Sequence, residues 1–266
     1  MNVYLRELRA YRRSTIIWAA SLSGLVVVFM SLYPAFTNDL AAVKKVFDQF
    51  PQVLLTALNL SSTAFFTVNG FYGYLLTFAG LAAAIQAMNI GTGIISKEVS
   101  GKTADFLLSK PVTRSRVISA KLAAALTSIV ISDVVFWAVS YAAALLVSKN
   151  PFDAATFFLM SLTLLLVQLM FVALGALFAV SLPKIKSVIS VSLPTVFTFY
   201  IIGMIGDVLN NDSLHYVSPF KFYSTTYIIT NVRLDGTFLL IEAAFLAVAI
   251  AASYVIYVKK DVRASV

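Results

Sequence analysis

Few residues in this chain are of a type that could do chemistry, and their spacing builds no catalytic group. His215, the single histidine, stands beside Asn211 and Asp212, and one imidazole with scattered carboxylates makes neither a metal site nor a Ser-His-Asp arrangement. There is no cysteine, which removes thiolate metal sites and disulfides alike. Gly101-Lys102-Thr103 resembles the end of a phosphate-binding loop, but that loop needs a glycine five residues earlier and position 96 is serine. The chain therefore has no ATP site of its own, and no cofactor is expected in it. Asp133 is different, because it falls inside an apolar run, where a carboxylate costs about 3 kcal/mol and must face protein or water. It either lines a path for a polar solute or bonds to Gln86, Asn89 or Gln168 on neighbouring helices.

The elements that must position these residues follow from composition. The chain is 60% hydrophobic and 12% charged, with mean hydropathy +0.89. A soluble domain of this length cannot hide so much apolar surface, whereas a bilayer requires it. Apolar runs at residues 15–36, 66–95, 117–147, 154–182, 188–206 and 237–258 are each long enough for a membrane-spanning helix. The expected fold is all-α, a single polytopic domain over residues 1–266 with six spans. Fifteen of the twenty basic residues fall in one set of connecting segments: Arg6, Arg9, Arg12, Arg13, Lys97, Lys102, Lys110, Arg114, Arg116, Lys121, Lys184, Lys186, Lys259, Lys260 and Arg263. The positive-inside rule then puts that set, with both termini, in the cytoplasm. The net charge of +8 reads the same way, and nucleic acid is not an expected partner.

Residues 1–14 place Tyr4, Leu5, Leu8 and Tyr11 at helical spacing with arginines on the other faces, as in an amphipathic interfacial helix. A basic start followed by an apolar run also occurs in signal peptides, but this run is too long and five more follow it. Segment 37–65 has a broken amphipathic pattern around Pro51, and segment 207–236 is long enough to dip into the bilayer as a re-entrant element. Glu242, near the outer end of the last run, reads as interfacial.

The most informative stretch is the charged island 96–116 between the second and third apolar runs. Ser100 or Thr103 can cap a short helix there, Asp105 suits its positive end, and Pro111 stops it. Phe106, Leu107 and Leu108 would then form an apolar tip rimmed by Lys102, Lys110, Arg114 and Arg116, suited to a groove on a soluble partner.

The run Glu98…Thr103-Ala104-Asp105-Phe106-Leu107-Leu108-Ser109-Lys110-Pro111-Val112-Thr113-Arg114, followed by Lys121, resembles the loop between helices two and three of ABC-2 type permeases. These are membrane subunits of ATP-binding cassette exporters. The family's Gly-Thr pair is here Gly101-Lys102-Thr103, displaced by one residue. Val217-Ser218-Pro219-Phe220-Lys221-Phe222-Tyr223 resembles the Ser-Pro-Phe segment of the family's last extracellular region, which marks Pro219 and Phe220. The resemblance implies that the island is the coupling helix docking onto a separate ATPase, which binds ATP and Mg. It implies a second permease chain, homo- or heteromeric, alternating access, and residence in the plasma membrane. Export is favoured over import by the same resemblance. An ion-coupled transporter or channel using Asp133 is the alternative; it would act without an ATPase and usually shows an internal repeat, which is not apparent. A membrane scaffold would explain the docking island without any pathway.

Overall fold

The computed structural model describes residues 3–38, 63–100, 113–148 and 151–259, with isolated positions between 43 and 55. In chain order these form α1 (Val3–Asn38), a 3-10 turn (Thr63–Phe66), α2 (Val68–Ser100), α3 (Arg114–Val147), α4 (Ala154–Ser181), α5 (Ile189–Leu209), the short α6 (Asp212–His215), a second 3-10 turn (Pro219–Lys221), α7 (Thr225–Asn231) and α8 (Gly236–Lys259). Among the described residues there is no strand. Among the described residues six helices, α1 to α5 and α8, are long and apolar enough to cross a membrane.

Local chemistry sets several helix ends. Asp153 caps α4 by accepting from the backbone N–H groups of Ala155 and Thr156, at 3.2 and 3.1 Å. That helix stops at Leu182, held extended by Pro183 behind it. Helix α5 stops where Asn210 turns left-handed at φ 48°, a conformation asparagine tolerates better than most residues.

Helix α2 is the centre of the bundle: 72% of its most apolar stretch is buried, against 17% for α8, 22% for α5 and 28% for α1. Its main partner is α4, and α1 packs chiefly against α3. Glycines allow the central contact. A Cβ on Gly91 of α2 would come within 2.4 Å of the Val172 carbonyl of α4, and one on Gly175 of α4 within 2.8 Å of the Thr92 nitrogen. The α2 and α4 backbones thus approach more closely than any side chain at these positions permits.

Residues 3–14 are helical, as their pattern predicts, but they run unbroken into the first span. At 36 residues α1 is about 54 Å long, well beyond a hydrocarbon core of about 30 Å. One stripe of it is buried: Glu7, Thr15, Ala19, Leu22, Val26, Met30 and Tyr33. Arg6, Arg9, Arg12 and Arg13 are exposed.

Candidate functional site

Among the described residues, three of the polar groups within the apolar bundle join several helices. The first lies where the start of α1, the end of α2 and the start of α3 meet, here termed the basic end. Glu7 accepts hydrogen bonds from Lys97 of α2 and Lys121 of α3, the latter at 3.4 Å. Lys121 is fully buried and also donates to the Ile94 carbonyl of α2. One turn beyond Glu7, the Tyr11 ring lies 5.1 Å from the Lys97 ammonium. Arg114, at the first turn of α3, reaches the Val258 carbonyl of α8 at 3.4 Å.

Lys97 and Arg114 thus mark the two roots of the charged island. Glu98 is in the last turn of α2, and of its side chain nothing is described. Thr103, Asp105, Phe106, Leu107, Leu108, Ser109 and Pro111 lie outside the described residues, so the expected helix among them does too. Sequence reasoning found the island and Lys121 but missed Glu7, whose only signal is a carboxylate on the apolar side of an amphipathic pattern.

The second group is at mid-bundle. Asp133 of α3 is fully buried, and the Gln168 amide of α4, turned with its nitrogen toward the carboxylate, donates to Oδ2 and Oδ1 at 2.7 and 3.0 Å. The Gln86 amide of α2 donates at 2.9 Å to Ser132, the residue before Asp133. Nearby, the Tyr72 hydroxyl pairs with Ser161 at 2.8 Å, and the Trp137 indole N–H donates to the Ser161 carbonyl at 3.0 Å. Two of the three expected partners therefore join this layer. Asn89 is the exception: its Oδ1 is shielded from solvent and has no hydrogen-bond partner among the described residues.

The third group is built by the segment after α5, at the opposite, distal end of the bundle. It does not simply cross to α8; it folds back along α5. Ser218 donates to the Phe199 carbonyl at 2.7 Å, and Phe220 packs on Phe171 and Tyr200, with ring centroids 5.3 and 5.4 Å apart. Phe199 lies ten residues before the end of α5, so the turn at Pro219 and Phe220 reaches about 15 Å down that helix. Pro219 is buried. Gly203 and Gly206 make room, since a Cβ there would lie 2.8 Å from Ser218 Oγ and 2.9 Å from the His215 ring.

Asp207 anchors this fold-back by accepting from Lys221, with His215 Nε2 3.1 Å from its other oxygen. Beneath it is a cavity of about 250 Å³ bordered by Thr77, Gly80, Thr163 and Tyr200. Glu242 of α8 is buried, and Tyr223 donates to it. The Tyr223 hydroxyl is held far above its ordinary pKa, first by burial and then by that carboxylate. The described residues bring together no group of His, Asp and Glu able to hold a metal.

Six span-capable helices with polar side chains paired inside the bundle define a multi-pass helical membrane protein. The family described as ABC-2 family transporter protein matches residues 1–262, nearly the whole chain, and the chain belongs to that family. No curated protein matches the chain. Membership makes it a membrane component of an ABC transporter, generally non-catalytic, and implies an ATPase partner.

Proposed function

We propose that this chain is the permease subunit of an ATP-driven exporter in the plasma membrane. It forms one transmembrane domain over residues 1–266 and pairs with a second permease chain. Separate ATPase subunits bind ATP and Mg and dock on the island 96–116. The family match over residues 1–262 carries this reading. The asymmetry of basic residues supports a cytoplasmic basic end and cytoplasmic termini, on the side where an ATPase would dock.

The proposed mechanism is mechanical. ATP binding draws two ATPase subunits together. Residues Glu98, Thr103, Asp105, Phe106, Leu107, Leu108, Ser109, Pro111 and Arg114 pass the movement to α2 and α3, and access alternates between the two permease chains. The fold-back at Pro219 and Phe220 caps the outer mouth of the pathway as a re-entrant element. Asp133 acts as a tie between α3 and α4 rather than as part of the path, supported by its bonds to Gln168.

The test is mass spectrometry of what co-purifies with the gently solubilised, tagged chain. A stoichiometric ATPase is expected, lost on Leu107→Asp while insertion is retained. An intact, folded chain that repeatedly brings down no ATPase would overturn the proposal and favour the ion-coupled reading.

A further inference from the structure

We infer that Glu7 is a positioning residue that clamps the amino-terminal helix to the two helices flanking the charged island, so that displacement of the island by a docked ATPase moves α1 as well. The coupling part of this inference rests on the docking reading above; the clamp itself rests on geometry.

One carboxylate serves two helices. Glu7 Oε2 takes Lys97, the last residue before the segment 98–112 whose side chain is described, and Oε1 takes Lys121, two turns into the helix that follows it. Lys121 then closes the triangle by donating to Ile94 of α2. The three helices that meet here are thereby held by charge-assisted bonds from one shared carboxylate. Tyr11 adds a steric element, since a Cβ at Gly93 would lie 3.0 Å from its hydroxyl. The first turns of α1 are therefore seated in a notch of α2 as well as tethered to it.

Burial says what the tie is for. The side chains of Lys121 and Glu7 are 0% and 3% exposed, and Lys97 is 38% exposed. A desolvated ion pair is a poor device for stability, because well-packed apolar residues of similar volume stabilise as much or more. What such a pair adds is register. The stripe of Thr15, Ala19, Leu22 and Val26 carries no charge that ties the axial position of α1 to particular partners. A carboxylate holding two ammonium groups from different helices cannot slide without leaving buried charge unpaired. The axial position and rotation of α1 are thus slaved to the ends of α2 and α3.

The absence of cysteine makes the test clean. Arg9→Cys and Arg116→Cys, both at exposed positions, carry a spin-label pair in the full chain in lipid nanodiscs. Measurements are made on the chain alone and with its ATPase, with and without ATP. The native background should give a narrow distance distribution whose width ATP leaves unchanged. Glu7→Gln should roughly double that width in the chain alone. It should also lower the ATP turnover of the retained ATPase about tenfold without releasing it, a readout that a merely stabilising role would leave unmoved in folded protein. Glu7→Asp, which keeps the charge with a shorter reach, should fall between.

Equal widths in native and Glu7→Gln chains would overturn the clamp, and unchanged ATP turnover in Glu7→Gln would overturn its role in coupling. If Glu7→Gln does not insert, Lys97→Gln, which removes only the half-exposed partner, carries the same test with an intermediate widening. Failure of the native chain to retain an ATPase sinks the docking reading and with it the coupling role, while the label widths still decide the clamp.

Discussion

Asparagine at position 133 keeps the length of the side chain and an oxygen for the Gln168 amide, while leucine keeps the length but offers no acceptor. If the carboxylate is a structural tie, Asp133→Asn should insert, assemble and transport almost as the native chain does. Asp133→Leu leaves a buried amide without its acceptor and should cost about 1–3 kcal/mol, read as a lower thermal unfolding midpoint of the solubilised protein. Transport lost in Asp133→Asn with normal assembly would return this residue to the pathway. A second residue gives a pH effect with a definite sign. Asp153 is held below the usual carboxylate range, first by the Thr156 hydroxyl, then by the Thr156 and Ala155 backbone N–H groups. Its folded value is depressed, so its contribution is present above the ordinary carboxylate pKa and disappears as pH falls through the lowered value. Asp153→Ala should therefore melt below the native chain at neutral pH, and the two melting curves should converge only in strong acid. The polar residues also show the limit of reading a single sequence. Asp133 is conspicuous because it interrupts an apolar run, and Gln86 and Gln168 are conspicuous for the same reason. Glu7 stands among arginines in the sequence, which hides its place on the apolar side of the helix, and only the packing of α1 against α2 and α3 gives it partners.

Between elements, the contact that matters most is that of α2 with α4, and it depends on missing atoms. Small residues at Gly175 and Ala179 are visible in the sequence, yet such spacings are too common in membrane helices to identify an interface. The structure selects Gly91 and Gly175, because their partners are backbone atoms that cannot rotate away. Gly91→Val should force the two helices apart and cost on the order of 1–3 kcal/mol or more. Gly80→Ala, on the same helix where no atom lies within 4 Å of a Cβ, should be close to neutral. Comparing the two unfolding midpoints separates close packing from any general dislike of β-carbons in α2. The distal fold-back uses the same device at Gly203 and Gly206. Its length predicted an excursion from a simple connection, but its direction along α5 is set by Ser218, Asp207 and Lys221, which no periodicity reveals.

At the scale of the whole molecule, hydropathy located the spans closely: α4 covers Ala154–Ser181 where the apolar run is 154–182, and α8 covers Gly236–Lys259 where it is 237–258. It misjudged α1 most, since charge ends an apolar run but not a helix, and Val3 to Thr15 continues the same hydrogen-bonded ladder. Orientation in the bilayer is a separate property, set by charge rather than by packing. The bias of fifteen basic residues to five predicts the basic end inside the cell and the distal segment outside. Single cysteines decide it in this cysteine-free chain. Asp212→Cys, at a position 95% exposed at the distal end, should react with a membrane-impermeant maleimide in intact cells. Arg116→Cys, exposed beside the island, should react only after the cells are opened. The reverse pattern would put the island outside, beyond the reach of any cytoplasmic ATPase, and the docking reading would fall with it, whereas the helix packing and the Glu7 clamp would stand unchanged.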